Sequence, residues 1–289
     1  MLPMSPLQKI QHSTFEKHNL NVYVKRDDLI HPFISGNKWR KCHYLLKHIK
    51  SMGFDTAITF GGAYSNHIHA FSYACKELGI RSIGIIRGEE LAMKPLNSTL
   101  SFARANDMEL QFVSRDEYKL RYDESHTDTL SKKYNAYVVP EGGTTLFAID
   151  GFKDMLTEIR SEVSFDHIFV PCGSAGTVSG INANLLANES VYAVNVLKGT
   201  ESDILSTMSS FSNNNHFDIV SDYHFGGYAK SNNILNQFIE DFESDYGFEI
   251  EPVYSGKMFY AFFDMVEKGL FENKTIILCH TGGLQGKKR

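Results

Sequence analysis

Apolar and polar positions follow two alternating rhythms along this chain. Short runs rich in β-branched and aromatic residues predict strands: NVYVKRD at 21–27, DTAITF at 55–60, RSIGIIRG at 81–88, ELQFVS at 109–114, AYVVPEGG at 136–143, HIFVPCG at 167–173, VYAVNVLKG at 191–199 and KTIILCHTGG at 274–283. Between them, apolar residues recur every three or four positions and predict helices over 38–52, 65–78, 95–106, 146–159, 177–187, 234–246 and 257–270. Strands alternating with helices imply the α/β class, with parallel sheets flanked by helices. Gly53 and Gly79 directly follow two of the helical segments, where a left-handed cap favours glycine. The polar stretch SSFSNNNH at 209–216 has the weakest structural signal, and no linker, repeat or low-complexity tract marks a domain boundary.

Length and charge narrow the function. With 289 residues, 42% of them hydrophobic, the chain exceeds what one small core needs, so one large or two moderate domains are expected. A net charge of −5, with 29 Lys and Arg spread along the sequence, gives no electrostatic footprint for nucleic acid or an anionic membrane. Small molecules are the expected partners. Cys42, Cys75, Cys172 and Cys279 form no CxxC pair, which argues against structural zinc or a disulfide framework and for a reducing cytoplasm. The opening MLPMSPLQKIQHSTF lacks the apolar centre of a signal peptide, and no run approaches the roughly 20 apolar residues of a membrane span.

Several segments carry chemistry. HIFVPCGSAGTVSG ends an apolar run at Gly173 and opens a helical pattern near Thr177; backbone N–H groups at such a helix start, with the hydroxyls of Ser174 and Thr177, can hold a phosphate. Its glycines, Gly173, Gly176 and Gly180, fit neither G-x-G-x-x-G nor the nucleoside-triphosphate loop, which weakens a nicotinamide-dehydrogenase reading. A tight strand-to-helix turn is the plain alternative. TFGGAYSNHIHA repeats the arrangement, with Ser65 and Asn66 able either to cap a helix or to bind a carboxylate. His67 and His69 stand two apart and do not share a helix face, so no metal pair is expected. GGYAKS and PVYSGK set Tyr228 and Tyr254 beside glycines, and CHTGG ends the last strand at Thr281, where parallel sheets line their ligand crevices. GNKWRK leaves Lys38 between a solvated helix start and a chemical role.

Taken in order, Lys38 in GNKWRK, then GGAYSNH, GSAGT, GGY, PVYSGK and HTGG resemble the pyridoxal-phosphate enzymes of the 1-aminocyclopropane-1-carboxylate (ACC) deaminase and D-cysteine desulfhydrase family, from about Val24 to Gly283. The resemblance implies a two-domain, tryptophan-synthase-β-like fold (fold type II), with residues 1–45 and 141–289 as the large cofactor-binding domain and 46–140 as a small inserted domain. It implies pyridoxal 5'-phosphate held covalently by Lys38, whose neutral amine neighbouring cations such as Arg40 and Lys41 would favour. Lys41 and the loop Gly173, Ser174, Ala175, Gly176 and Thr177 would hold the phosphate. Asn66 would meet the ring hydroxyl, Ser65 the substrate carboxylate, and His67 would line the substrate side. Tyr228 and Tyr254 would orient substrate or move protons near its β carbon. Ser255 would face the ring nitrogen and Thr281 would complete the cofactor site. A homodimer acting on a small amino acid is the implied assembly.

Within that family, ACC deaminases carry Glu after the tyrosine of PVY and Leu after the histidine of HxGG, whereas this chain has Ser255 and Thr281. A carboxylate at the ring nitrogen makes a stronger electron sink than a neutral hydroxyl. ACC has no α hydrogen and needs the stronger sink, so Ser255 favours the desulfhydrase branch: D-cysteine to pyruvate, sulfide and ammonium. ACC deamination and a catalytically silent cofactor-binding protein are the alternatives. Tyr64 departs from the Gln that usually precedes the Ser-Asn pair, and the chain is shorter than typical members.

Overall fold

The computed structural model describes residues 4–34, 36–284 and 287. Its contacts divide the chain into two compact units, one of Met1–His31, Ser35–Asn37 and Phe152–Arg289, the other of Pro32–Ile34 and Lys38–Gly151.

In the first unit, β1 (Leu7–Ile10), α1 (Ser13–Lys17) and β2 (Asn21–Lys25) open the chain. The second unit carries most of α2 (Asn37–Ser51), then β3 (Thr56–Gly61), α3 (Asn66–Glu77), β4 (Arg81–Arg87), α4 (Ser98–Ala105), β5 (Glu109–Val113), α5 (Arg115–Lys119), α6 (Glu124–Tyr134) and β6 (Tyr137–Val139). Helix α7 (Leu146–Glu162) leads back to the first unit, which continues with β7 (His167–Cys172), α8 (Gly176–Asn182), β8 (Ser190–Asn195), α9 (Glu201–Phe211), β9 (Phe217–Val220), α10 (Asn233–Tyr246), α11 (Ser255–Glu267) and β10 (Thr275–Cys279).

The six-stranded sheet has the order β1-β2-β10-β7-β8-β9, with only β1 antiparallel to its neighbour. Its central strands read as unbroken apolar runs because both faces are covered. Val22, Val24, Phe169, Val194, Ile276 and Leu278 join α10 and α11 on one side. Ile168, Val170, Val191, Ala193, Ile277 and Cys279 join α7, α8 and α9 on the other. Pro171 is tolerated inside β7 because pairing with β10 stops at Phe169, while the Cys172 carbonyl turns to the β8 side and accepts from Val196 N at 3.0 Å. The other sheet is wholly parallel, in the order β5-β4-β3-β6, and buries Ile58, Phe60, Ile83 and Ile85 with Tyr118.

Gly53 and Gly79 adopt φ of +81° and +64°, as their positions after α2 and α3 require. Helix α8 stops at Asn182, short of the expected 187. There the buried Asn182 side chain donates to the Asn214 carbonyl while Asn214 returns the bond to Asn182, and the backbone turns. Elements β1, α1, α5, α6, α9 and β9 lie outside the expected set. Among the described residues no helix is long and apolar enough to cross a membrane, and no cluster of metal-ligating side chains occurs.

Candidate active site

The motif that begins α2 is built for burial. Trp39 stacks on His43 one turn on, with ring centroids 5.0 Å apart, and Arg40 and Lys41 are almost wholly buried. A Cβ on Gly151 of α7 would stand 2.2 Å from the Arg40 carbonyl, so only glycine lets these two helices approach this closely. Part of Lys38 stays open, yet its amine is removed from water. That desolvation, opposed by the nearby Cys42 thiol, lowers its pKa from 10.5 to about 8. The same burial pushes the Cys42 thiol up to about 12. Lys41 Nζ donates to the Gly142 carbonyl at 3.2 Å, in the turn that follows β6.

At the head of α3, Ser65 is the N-cap: its hydroxyl oxygen accepts from Ile68 N at 3.3 Å. Asn66 is the first helical residue. His67 is buried, and its Nε2 lies 2.8 Å from the Thr59 hydroxyl, which also reaches the Val139 carbonyl at 3.2 Å. A hydroxyl has one proton; if Thr59 gives it to Val139, it accepts from Nε2–H, which leaves Nδ1 as a bare acceptor. That Nδ1 is buried without a hydrogen-bond partner among the described residues, beside Gly143, where a Cβ would come within 3.3 Å of it. Burial, then the charges of Lys38 and Lys41, hold the His67 pKa well below its ordinary value, so the ring is neutral. Lys38, Lys41 and His67 thus form one coupled group within the smaller unit. His69 stacks on Phe102 instead, at 3.8 Å.

The larger unit gathers a second set. After β7 the chain turns through Gly173 and Ser174 to Ala175, which caps α8 in a left-handed conformation (φ +57°) and offers no side-chain cap. The first amides of α8 are therefore left to an outside acceptor or to the loop itself. A Cβ on Gly173 would meet the Tyr254 ring at 3.1 Å, and Tyr254 in turn packs edge-on against Tyr228, centroids 6.2 Å apart. Asn37, which precedes Lys38 in the chain, donates its Nδ2 to the Thr177 hydroxyl at 2.7 Å and its backbone N–H to the Thr281 carbonyl at 3.3 Å. His280 fixes the turn beyond β10: its Nε2 lies 2.7 Å from the Glu249 carbonyl and its Nδ1 accepts from Gly282 N at 3.2 Å.

Ser255 opens α11 fully buried, its Oγ accepting from Glu251 N at 2.9 Å. The Glu251 carboxylate accepts from the amides of Val253 (2.7 Å), Tyr254 (2.8 Å) and Ser255 (2.7 Å). Two residues on, the buried Lys257 Nζ donates to the carbonyls of His224 (2.8 Å), Gly227 (2.7 Å) and Val196 (3.4 Å), and desolvation lowers its pKa to about 8. It thereby ties down the turn that carries Tyr228. Sequence reasoning missed Glu251, Lys257, Asn37 and Asn195, because Glu251 and Lys257 hold backbone atoms, Asn37 reaches a residue far away in the chain, and Asn195 sits in a local turn that no motif marks. Asn195 ends β8 fully buried, with Oδ1 accepting from Leu197 N and Thr200 Oγ1 and with Nδ2 lacking a partner among the described residues.

A desolvated amine, in the smaller unit, and a glycine turn that opens a helix without a side-chain cap, in the larger, are each chemistry that a phosphate-bearing aldehyde cofactor uses. The chain belongs to the pyridoxal-phosphate dependent enzyme family, whose profile matches residues 3–282. It is 33% identical to a Thermotoga maritima protein provisionally named 1-aminocyclopropane-1-carboxylate deaminase, over 99% of this chain and 95% of that one. It is 28% identical to the mitochondrial bifunctional D-cysteine desulfhydrase/1-aminocyclopropane-1-carboxylate deaminase of Arabidopsis thaliana, over 92% and 73% of the two chains. The crystal structure of an ACC deaminase homologue superposes with a TM-score of 0.81 at 28% identity, covering 99% of this chain and 92% of that chain. The expected fold class and cofactor dependence are thereby established.

Proposed function

We propose that the chain is a desulfhydrase-type lyase that removes a β substituent from a small amino acid, converting D-cysteine to pyruvate, sulfide and ammonium. The observation that carries the reading is the Lys38 amine, desolvated until its pKa is about 8, at the start of α2. When bound, the cofactor supplies the electron sink that makes a substrate Cα–H acidic. Lys38, as a neutral amine, takes that proton and can return it. The Ser65 hydroxyl and the amides at the head of α3 hold the substrate carboxylate, and the neutral His67 offers Nδ1 as an acceptor on the substrate side. Tyr228 and Tyr254 orient the substrate and hand a proton to the leaving group at Cβ. Lys41 and Gly173, Ser174, Ala175, Gly176 and Thr177 hold the phosphate; Asn66 meets the ring hydroxyl, Ser255 the ring nitrogen, and Thr281 completes the cofactor site. In this reading the larger unit is the cofactor-binding domain and the smaller is the inserted one.

Ser255 and Thr281, where ACC deaminases have Glu and Leu, support elimination over ring opening. Ring opening of ACC is the second reading, favoured by the provisional name of the Thermotoga relative. A panel of D- and L-cysteine, D- and L-serine, β-chloroalanine and ACC, assayed for keto acid, separates the two. Pyruvate and sulfide from D-cysteine are expected; turnover confined to ACC overturns the desulfhydrase assignment. Four buried cysteines, none in a disulfide, support a cytoplasmic setting. The homodimer is tested by light scattering on the eluted protein.

A further inference from the structure

The last residue of PVYSGK has no part in the reaction proposed above, yet Lys257 lies in the first turn of α11, three residues after Tyr254, and is fully buried. Both facts weigh against a cation there: the helix dipole opposes positive charge at this end, and burial opposes any charge. Among the described residues its hydrogen-bond partners are three backbone carbonyls, Gly227 at 2.7 Å, His224 at 2.8 Å and Val196 at 3.4 Å. A carbonyl only accepts, so the amine donates at each of them. Two of the three belong to the turn that leads into Tyr228. That turn lies in no helix or strand, and Phe225, Gly226 and Gly227, then Ala229 just beyond Tyr228, adopt φ of +51°, +96°, +110° and +55°. Residues other than glycine keep such a backbone only where their surroundings impose it. Here α11 imposes it twice, through Lys257 and through Tyr260, whose ring meets that of Phe225 edge-on with centroids 5.1 Å apart. Tyr228 itself is 46% exposed, so burial of its own ring does not fix its place.

We infer that Lys257 is a positioning residue: by gathering the His224 and Gly227 carbonyls onto the first turn of α11, it holds Tyr228 edge-on to Tyr254. The inference rests on the role proposed for Tyr228 at the substrate's β carbon. One helix then sets both phenols, Tyr254 as its N-cap residue and Tyr228 through the Lys257 amine. An apolar side chain of similar length would fill the same space and leave the turn untied.

Two measurements test it. The first is hydrogen exchange of the wild-type holoenzyme, followed by mass spectrometry on the peptide that holds the Gly227 and Lys230 amides, which donate within the turn to the His224 and Gly227 carbonyls. Exchange about a hundredfold or more slower than in the unfolded chain is expected. Exchange at the unfolded rate overturns the inference with no variant needed, so poor folding of a Lys257 variant leaves it falsifiable. The second is a cycle of Lys257→Met, Tyr228→Phe and the double variant, assayed with the amino acid of the panel that the wild type turns over. Each single change is expected to lower kcat/KM by about a hundredfold. The double variant is expected to fall little below Tyr228→Phe alone, because the two changes disable one group. Losses that multiply show Lys257 to be general support for the fold and reject the positioning role, as does full turnover in Lys257→Met. Full turnover in Tyr228→Phe instead removes the assignment of Tyr228, and the inference with it.

Discussion

At the scale of single residues, the decisive quantity is the proton affinity of one amine. A lysine of ordinary pKa near 10.5 is almost wholly charged at neutral pH and cannot attack an aldehyde, whereas desolvation brings Lys38 to about 8. The sign is fixed: below about 8 the charged form dominates, above it the neutral one. Capture of pyridoxal phosphate by the cofactor-free protein should therefore accelerate by about tenfold per pH unit up to pH 8 and level off above it. Stopped-flow absorbance of the bound cofactor reads this directly, and Lys38→Ala should abolish the covalent signal. A profile still climbing at pH 10 would mean that the amine is not desolvated as the structure has it.

At the scale of elements, glycine positions separate steric need from conformational need. Gly36 has φ +65°, and an added Cβ would lie 1.7 Å from the Thr281 carbonyl; Gly53 has φ +81° with nothing within 4 Å. Gly53→Ala should therefore cost only the left-handed strain, about 1–2 kcal/mol. Gly36→Ala adds overpacking of about 1–3 kcal/mol against backbone that cannot swing away. Urea midpoints of the two variants measure the difference, and equal losses would show that the turn before Lys38 yields freely. Such contacts also mark where the sequence stops being readable. Strands buried on both faces, such as β7 and β8, announce themselves by continuous apolar runs, and α2, α3, α7 and α11 by helical periodicity. Helix α6 buries no residue and α5 only Tyr118, so neither carries an apolar stripe to detect. Four-residue β1 and β9 lie at the sheet edges, with Ile10 the only fully buried position between them. The site followed the same rule. Lys38 and the Gly173–Thr177 turn are legible as local motifs, but Lys257 is defined by carbonyls about 30 and 60 residues away, which no local pattern encodes.

At the scale of the whole molecule, the cysteines report on the two units separately. Cys42 and Cys75 belong to the smaller unit, Cys172 and Cys279 to the larger, and all four are buried thiols outside any disulfide. Burial raises the pKa of Cys42 and of Cys75, so neither presents a thiolate in the native state. Modification must then wait for opening, and its rate reports the free energy of the opening unit. Each unit has its own sheet and its own apolar packing, one cluster with Ile58, Phe60 and Ile83 in the smaller, and in the larger two clusters, one with Phe169 and Leu278 and one with Ile277. Cys42 and Cys75 should consequently label together in dilute urea, and Cys172 and Cys279 together, when peptides are quantified by mass spectrometry after timed alkylation. Bound pyridoxal phosphate should slow the pair in whichever unit it stabilises, by a factor that grows with its concentration relative to its dissociation constant. Four thiols labelling at one common rate across the urea series would instead establish that the chain opens as a single cooperative body, and the division into two units would then describe contacts without describing stability.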